Sequence, residues 1–152
     1  MLSLRPITRD DLDDVFDLEL SDAQWNFVAR NATTIAEASF EDGSHCFAIC
    51  QDKQIVGFLA CIDFRVNQNL APEEDKTCMY LWRFMIDINH QRKGYGRESL
   101  KLFLDWCRTR KAASAMLGVA ETNKVALELY GSFGFKPTGR KFDEELELSL
   151  KL

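Results

Sequence analysis

Apolar residues recur along this chain with the two periods that are typical of strands and helices. Strand-like alternation or short apolar runs occur in six stretches: residues 2–7, 45–50, 54–63, 78–88, 115–120 and 145–152. Helical spacing occurs in four places. The first follows a capping-box-like Thr8–Asp11 and places Leu12, Val15 and Phe16 on one face. The others are a helix that begins at Thr33 or Thr34, an amphipathic run from about Arg97, and residues 123–132. Residues 65–76 are polar and lack either period, which predicts a loop.

The composition favours a single domain. The chain has 152 residues, of which 46% are hydrophobic, enough for one substantial core but few for two. No internal repeat, low-complexity tract or linker divides the sequence. We therefore expect one domain that spans residues 1–152.

A basic, glycine-rich turn, Gln91-Arg92-Lys93-Gly94-Tyr95-Gly96, separates the strand over residues 78–88 from the long amphipathic helix. The first N–H groups of a helix lack partners within it, and the helix dipole places partial positive charge at the same end. The glycines let a ligand approach the backbone, and four residues add positive charge: Arg92, Lys93, Arg97 and Lys101. This combination predicts a phosphate site, although an ordinary strand-to-helix turn fits the hexapeptide alone about equally well.

Three phosphate-binding designs use such glycines. A mononucleotide P-loop ends in Gly-Lys-Ser/Thr, whereas Gly96 is followed here by Arg97 and Glu98. A dinucleotide fingerprint would use Ser99 as its third small residue and Glu121 as its acid, but it usually opens a larger parallel sheet than the remaining residues can form. The remaining design binds the pyrophosphate of coenzyme A.

The turn resembles the acetyl-CoA motif of the GNAT superfamily of N-acetyltransferases, Gln/Arg-x-x-Gly-x-Gly/Ala between a strand and a helix. A second family motif, an asparagine followed by an Ala-x-x-Leu-Tyr-like helix and an aromatic-Gly-Phe turn, is similar to Asn123–Tyr130 and Phe133–Phe135. Residues 22–38, with Gln-x-x-Phe-Val-x-x-Asn from Gln24 and a later Ala-Glu-Ala, resemble the bacterial spermine/spermidine acetyltransferase branch, as do residues 83–87.

This resemblance implies the GNAT fold, an α/β architecture with a mixed, mostly antiparallel sheet of six to seven strands flanked by about four helices. It also implies acetyl-CoA as cosubstrate, with the pantetheine arm on a strand that diverges from its neighbour at a bulge. The pyrophosphate would lie over the N–H groups of residues 92–97, and Asn123 would contact the pantetheine or cap its helix. The implied coenzyme site comprises Phe84, Met85, Ile86, Gln91, Arg92, Lys93, Gly94, Tyr95, Gly96, Arg97, Asn123 and Tyr130.

Tyr130 is the general acid that the resemblance implies. A free thiol has a pKa of about 8.5 and a phenol one of about 10, so a nearby tyrosine can donate a proton to a departing thiolate. The general base stays unassigned, because alignment puts Trp82 and Arg83 where animal-type polyamine acetyltransferases have an acid. The sequence does not choose among four substitutes: Glu19, Glu37, Asp63 and Glu121.

Charge and composition exclude several partners. A net charge of −5 and a pI near 5.1 argue against nucleic acid. No apolar run approaches the ~20 residues that span a bilayer, and the start lacks a signal-peptide core, so we expect a cytoplasmic protein without a membrane partner. Five cysteines without a Cys-x-x-Cys pair predict buried free thiols, and with only two histidines we expect no metal.

The predicted acceptor is a small primary amine, and the branch resemblance implies a polyamine or diamine. Acids at residues 10–22 and 73–75 would attract a cation, although they also suit a solvated helix face and a polar loop. Trp25, Phe27 and Trp82 could line an aliphatic channel or simply pack. The open alternatives are a protein, peptide or aminoglycoside-type amine, and a non-catalytic acyl-CoA-binding module.

A homodimer is a family-level expectation for this chain. The alternating strand over residues 145–152 could pair across a subunit boundary or lie as an edge.

Overall fold

One seven-stranded sheet runs through the computed structural model, which describes residues 1–152. The strands are β1 (Leu2–Pro6), β2 (Ser44–Gln51), β3 (Gln54–Asp63), β4 (Cys78–Ile86), β5 (Ser114–Ala120), β6 (Lys136–Phe142) and β7 (Glu145–Lys151). The helices are α1 (Leu12–Phe16), α2 (Asp22–Trp25), α3 (Asn31–Ala38), α4 (Tyr95–Thr109) and α5 (Lys124–Ser132), with 3₁₀ turns at Arg9–Asp11 and Ile88–His90.

The strand order is β1-β2-β3-β4-β5-β7-β6, and only the β4–β5 pair is parallel. The predicted α/β fold with a mixed, mostly antiparallel sheet is therefore confirmed, with five helices rather than about four.

Helices cover both faces of the sheet. Alternate residues of β3 point to opposite sides, so that Leu59 joins the core beneath α4 and α5, whereas Phe58 and Ala60 pack against Val15 and Leu18 in the α1 region. The apolar stripe of α4 is fully buried as predicted: Leu100, Phe103, Leu104 and Cys107. All five cysteines are free thiols, and four of them are buried.

The sheet splits between β4 and β5. Trp82 is an extra residue on β4, because Arg83 lies opposite Ala60 while Leu81 lies opposite Cys61. The parallel pairing of β4 with β5 ends at Leu81 and Leu117. Beyond that point β4 pairs only with β3, and β5 pairs only with β7. Residues 84–86 follow the bulge and form the free margin of the split.

Several predicted elements differ from the structure at the C-terminal end of the sheet. Strand β6 was not predicted from the sequence, and it takes the edge position. Residues 145–151 form β7 between β5 and β6, so the prediction of an edge or intersubunit strand was wrong. The strand predicted over residues 78–88 ends at Ile86, because Asp87 caps a 3₁₀ turn by accepting a hydrogen bond from the Asn89 N–H.

The N-terminal helices also differ from their predictions. The short helix α2 was missed, and α3 begins at Asn31 rather than at Thr33 or Thr34. The Asn31 side chain is buried and donates a hydrogen bond to the Val15 carbonyl oxygen at 3.0 Å, a tertiary contact that fixes this start. Phe16, predicted to share a face with Leu12 and Val15, is 43% exposed. The helix α1 has only five residues, too few to bury a wide stripe.

Candidate active site

A cleft of about 990 Å³ opens where β4 and β5 separate. Its walls are the end of β4 from Tyr80 to Ile86, the end of β5 from Leu117 to Ala120, and the first turns of α5. The glycine turn before α4 closes one end, and the segment around α2, from Gln24 to Ala29, lies along the cleft. Strand pairing therefore builds the cleft, and the loops at its rim supply the polar groups.

The glycine turn has the geometry of an anion site. The backbone is left-handed at Arg92, with φ 60°, and at Gly94, with φ 83°. Gly94 is the N-cap of α4 and offers no side-chain cap, and the N–H groups of residues 92–97 donate no hydrogen bond within the chain. The last three of these donors belong to the first turn of α4, a helix of 15 residues whose dipole favours negative charge there.

Gln91 holds the start of this turn in place. Its side-chain amide donates to the Ile86 carbonyl oxygen at 2.9 Å and to Gln24 Oε1 at 3.2 Å, and its Oε1 accepts from Gln24 Nε2 at 3.0 Å. The Gln91 side chain therefore joins the end of β4, the glycine turn and α2. It also occupies the Ile86 carbonyl, which leaves that oxygen less available to a ligand.

Most residues of the predicted coenzyme site lie together. Nine of them line the cleft: Phe84, Met85, Ile86, Gln91, Arg92, Gly94, Gly96, Asn123 and Tyr130. Arg97 and Gly94 line an adjoining recess of about 360 Å³ with Lys101. Lys93 and Tyr95 line neither space, and Tyr95 packs partly buried against the main core. The Asn123 side chain caps α5 by accepting from the Ala126 N–H at 3.3 Å.

Tyr130 is buried in the wall of the cleft. It contacts Phe135 edge to face, with ring centroids 5.7 Å apart. Burial raises the pKa of the Tyr130 phenol well above its ordinary value, and the nearby negative charge of Glu145 raises it further. The phenol therefore keeps its proton throughout the neutral pH range and can act as a hydrogen-bond or proton donor.

The four acids considered as general bases lie outside the cleft lining. Each pairs with a cation: Glu19 with Arg30 at 3.7 Å, Glu37 with Arg83 at 3.8 Å, Asp63 with Arg65 at 2.7 Å, and Glu121 with Lys141 at 3.2 Å. The Arg65 hydrogen bonds hold the pKa of Asp63 below its usual value. Only Asp63 combines burial with a short ion pair, and the other three acids are half exposed. The position of all four outside the lining is what separates them from the cleft.

The structure places only some of the other proposed acceptor features at the cleft. The acids at residues 10–22 and 73–75 do not line the cleft, and Asp11 forms a two-point ion pair with Arg5 at 2.8 Å. Phe27 and Trp82 do line it, whereas Trp25 packs against the small core cluster around Val15, Leu18 and Phe58. Only part of the proposed aliphatic channel is therefore present.

Sequence reasoning missed several polar residues of the cleft, among them Tyr80 and Glu145. Tyr80 and Glu145 come from β4 and β7, which are far apart in the chain and lie on either side of β5. Burial raises the pKa of Tyr80 to about 12, with a contribution from the Glu145 charge. The alternation in β7 placed Glu145 on its polar face, but no local signal showed that this face meets the cleft.

No three His, Cys, Asp or Glu side chains converge as metal ligands would. None of the helices combines the length and apolar character that crossing a membrane requires.

Comparison with known sequences gives consistent matches. The model of the acetyltransferase (GNAT) family matches residues 12–135. The spermine/spermidine N(1)-acetyltransferase of Bacillus subtilis is 26% identical over 148 residues, which cover 91% of this chain and 90% of that protein. Human N-acetyltransferase 8 is 23% identical over 146 residues, which cover 84% of this chain but only 60% of the human protein.

Solved structures share the fold. The spermidine N-acetyltransferase of Vibrio cholerae, in complex with CoA and spermine, superposes with a TM-score of 0.75 at 18% identity. The match covers 99% of this chain and 95% of that one. Similarity at this level of identity concerns the architecture of the sheet and its helices.

Proposed function

Because the chain belongs to the GNAT acetyltransferase family, we propose that it transfers an acetyl group from acetyl-CoA to a primary amine, and that this amine is a polyamine or diamine. We propose further that residues 1–152 act as a single catalytic domain. The similarity to the Bacillus spermine/spermidine enzyme, which extends over 90% of that protein, supports the choice of acceptor.

The split between β4 and β5 is the observation that carries this proposal. Past Leu81 the margin of β4 faces β5 without pairing to it. The Asp87 N–H donates to the Val56 carbonyl, so in the alternating pattern of this antiparallel pair Met85 bonds to Phe58 of β3. The backbone N–H and C=O of Phe84 therefore point toward the split and are available to the amide groups of a pantetheine arm.

The N–H groups of residues 92–97 would hold the pyrophosphate, with Arg92 and Arg97 at its sides. These donors fit an extended, amide-containing ligand with a phosphate end.

Tyr130 would protonate the departing thiolate. Its raised pKa keeps the proton on oxygen until the thiolate forms. Burial raises thiol pKa values in this protein as well, to about 11 at the half-buried Cys46. A thiolate released beside Tyr130 in the cleft would be made more basic by the same effect, which brings the two groups closer in proton affinity.

The acceptor would enter from the side of the cleft that Phe27 and Trp82 line. Their aromatic surfaces suit the methylene chain between the amino groups of a polyamine. A primary amine has a pKa near 10 and is protonated at neutral pH, so the site must remove a proton before the nitrogen can attack.

The experiment that tests this proposal is release of free thiol from acetyl-CoA in the presence of a panel of amines. The panel contains spermine, spermidine, a diamine, an aminoglycoside and a peptide with a free N-terminus. We expect the highest kcat/KM with a polyamine or diamine. Preference for the peptide or the aminoglycoside would overturn the choice of acceptor, and CoA binding without turnover of any amine would indicate a binding module instead.

A further inference from the structure

Glu145 carries the only carboxylate among the side chains that line the cleft. It is the first residue of β7, and its backbone lies opposite Ala120 of β5. Its side chain extends over β5, so that Oε2 lies 3.5 Å from the position that a Cβ on residue 118 would occupy. The carboxylate therefore lies over Gly118, just past Leu117, where β4 and β5 part.

The Tyr80 hydroxyl approaches the same point from β4. Its oxygen lies 3.3 Å from the same position beside Gly118. The Tyr80 ring stacks on Phe64 with ring centroids 5.0 Å apart, which fixes the direction of the hydroxyl. A hydroxyl and a carboxylate thus flank the space above Gly118, which the absent side chain leaves open.

Glu145 is free for a ligand, whereas Glu147, two residues further along β7, is not. Glu147 is buried, accepts a hydrogen bond from Thr138 at 2.8 Å and lies 3.6 Å from Arg140. Glu145 takes part in none of the ion pairs of the chain, and its carboxylate accepts no hydrogen bond within it. The residue stays exposed, so pairing with a cation there avoids most of the desolvation penalty of a buried pair.

From this arrangement we infer that Glu145 receives the ammonium group of the acceptor beside the parting strands and takes its proton, with Tyr80 orienting the nitrogen. This inference rests on the proposed acetyltransferase function and assigns the general base that the sequence left open. The position differs from that of Trp82 and Arg83 on β4, because the carboxylate comes from β7 across Gly118.

Protons and electron pairs balance over the transfer of the acetyl group. The ammonium gives one proton to the Glu145 carboxylate, directly or through a water, and the nitrogen lone pair then bonds to the acetyl carbon. The C–S bond breaks with its electron pair on sulfur, and the thiolate takes a proton from the Tyr130 phenol. The second proton of the bonded nitrogen returns to that phenol, and Glu145 releases the first to solvent.

The test compares Glu145→Gln with Glu144→Gln, using acetyl-CoA and spermidine. Glu144 is the preceding residue, exposed in the β6–β7 turn and outside the cleft, so its variant controls for the lost charge. We expect Glu145→Gln to lower kcat/KM for spermidine at least about 100-fold and to leave the Kd for CoA within about twofold. Glu145→Asp keeps the charge, so its kcat/KM should be about tenfold or more above that of Glu145→Gln.

A pH series separates proton transfer from a structural effect. The ratio of wild-type to Glu145→Gln kcat/KM should shrink as the pH rises from about 7 to about 9.5, because the amine then loses its proton without help. The other ionisable and charged groups that line the site are Tyr80, Tyr130, Arg83, Arg92 and Lys124. The charges of Glu147 and Glu74 act on Tyr80 from outside the lining. They are present in both proteins, so their own titration affects both sides of the ratio.

Two results would overturn the inference. One is a kcat/KM of Glu145→Gln within about threefold of wild type, and the other is a loss of CoA affinity as large as the loss of kcat/KM. A wild-type protein and a Glu144→Gln control that both fail to turn over any amine would instead remove the proposed function itself.

Discussion

The side chains of Gln91 and Gln24 exchange two hydrogen bonds, 3.0 and 3.2 Å long, across the rim of the cleft. Gln91 belongs to the glycine turn, and Gln24 belongs to α2, which borders the acceptor side. A further hydrogen bond joins the same two segments, because the Asp87 carboxylate accepts from the Glu19 N–H at 2.8 Å. The turn that would bind the pyrophosphate is thus fixed to the N-terminal segment as well as to β4.

Replacing Gln24 by Ala should weaken coenzyme binding although Gln24 would not contact the phosphates. The variant loses the pair with Gln91 and the capping box with Ser21, whose N–H donates to Gln24 Oε1 at 3.2 Å. We expect the free energy of unfolding to fall by about 1–2 kcal/mol and the Kd for CoA to rise about threefold to tenfold. Denaturant unfolding and calorimetric titration measure both.

Gln68→Ala is the matched control for that experiment, because the Gln68 side chain is exposed and donates only to the Val66 carbonyl nearby. An unchanged Kd for CoA in Gln24→Ala would show that the shape of the turn does not depend on α2.

Gly94→Ala should damage the site through the backbone rather than through contacts. A Cβ at this position meets nothing within 4 Å, but φ is 83°, a conformation that costs an L-residue roughly 1–2 kcal/mol. We expect lower stability by that amount and weaker CoA binding. Gly131→Ala lies in α5 with equally open space and ordinary helical φ, so it should be neutral or stabilise by up to about 1 kcal/mol. Equal effects of the two variants on the melting temperature would contradict this account.

Tyr130→Phe should lower kcat about 100-fold or more and leave CoA affinity and stability nearly unchanged. The ring keeps its edge-to-face contact with Phe135, and only the phenolic proton donor is lost. Tyr95→Phe is the control, since Tyr95 lies at the start of α4 outside the cleft lining. A Tyr130→Phe enzyme with wild-type kcat would remove Tyr130 from the chemistry.

The protein should lose stability as the pH falls from about 5 towards 3. Burial alone would raise the pKa of Asp87, but hydrogen bonds from the Glu19 and Asn89 N–H groups, together with His90, outweigh burial and lower it. A carboxyl whose pKa is lower in the folded state stabilises fully above its unfolded pKa, about 3.9, and loses that contribution as it is protonated. We expect a falling melting temperature over this range.

Asp87→Asn should lower the melting temperature at pH 7 and flatten its dependence on acid. Asp143→Asn, in the exposed β6–β7 turn where φ is 51°, should behave like wild type because asparagine also tolerates that backbone. An Asp87→Asn protein with an unchanged acid profile would place the acid sensitivity elsewhere, for example at Asp63.

The parts of the site that the sequence predicted are those with a local cause. The glycine turn was predictable because its residues, its preceding strand and its following helix are contiguous in the chain. The Asn123 cap of α5 is local in the same way. Helix α2 was missed although Ser21 and Gln24 have capping-box spacing, because a helix of four residues has no apolar period to reveal it.

The parts that were missed depend on strand pairing. Strand β6 contains Pro137 and a left-handed Gly139 and shows no alternation, so its pairing with β7 determines it. The bulge at Trp82 exists only relative to β3. Glu145 reaches the cleft only because β7 pairs with β5, on the far side of β5 from β4.

The most direct test of the central claim is to incubate the protein with spermidine and acetyl-CoA that carries an isotopic label in the acetyl group, and to analyse the amine by mass spectrometry. We predict that the label appears in an amide on one nitrogen of spermidine, together with one free CoA for each amide formed. Free CoA accompanied only by labelled acetate, or an unchanged amine and intact acetyl-CoA, would contradict the assignment of this chain as an amine acetyltransferase.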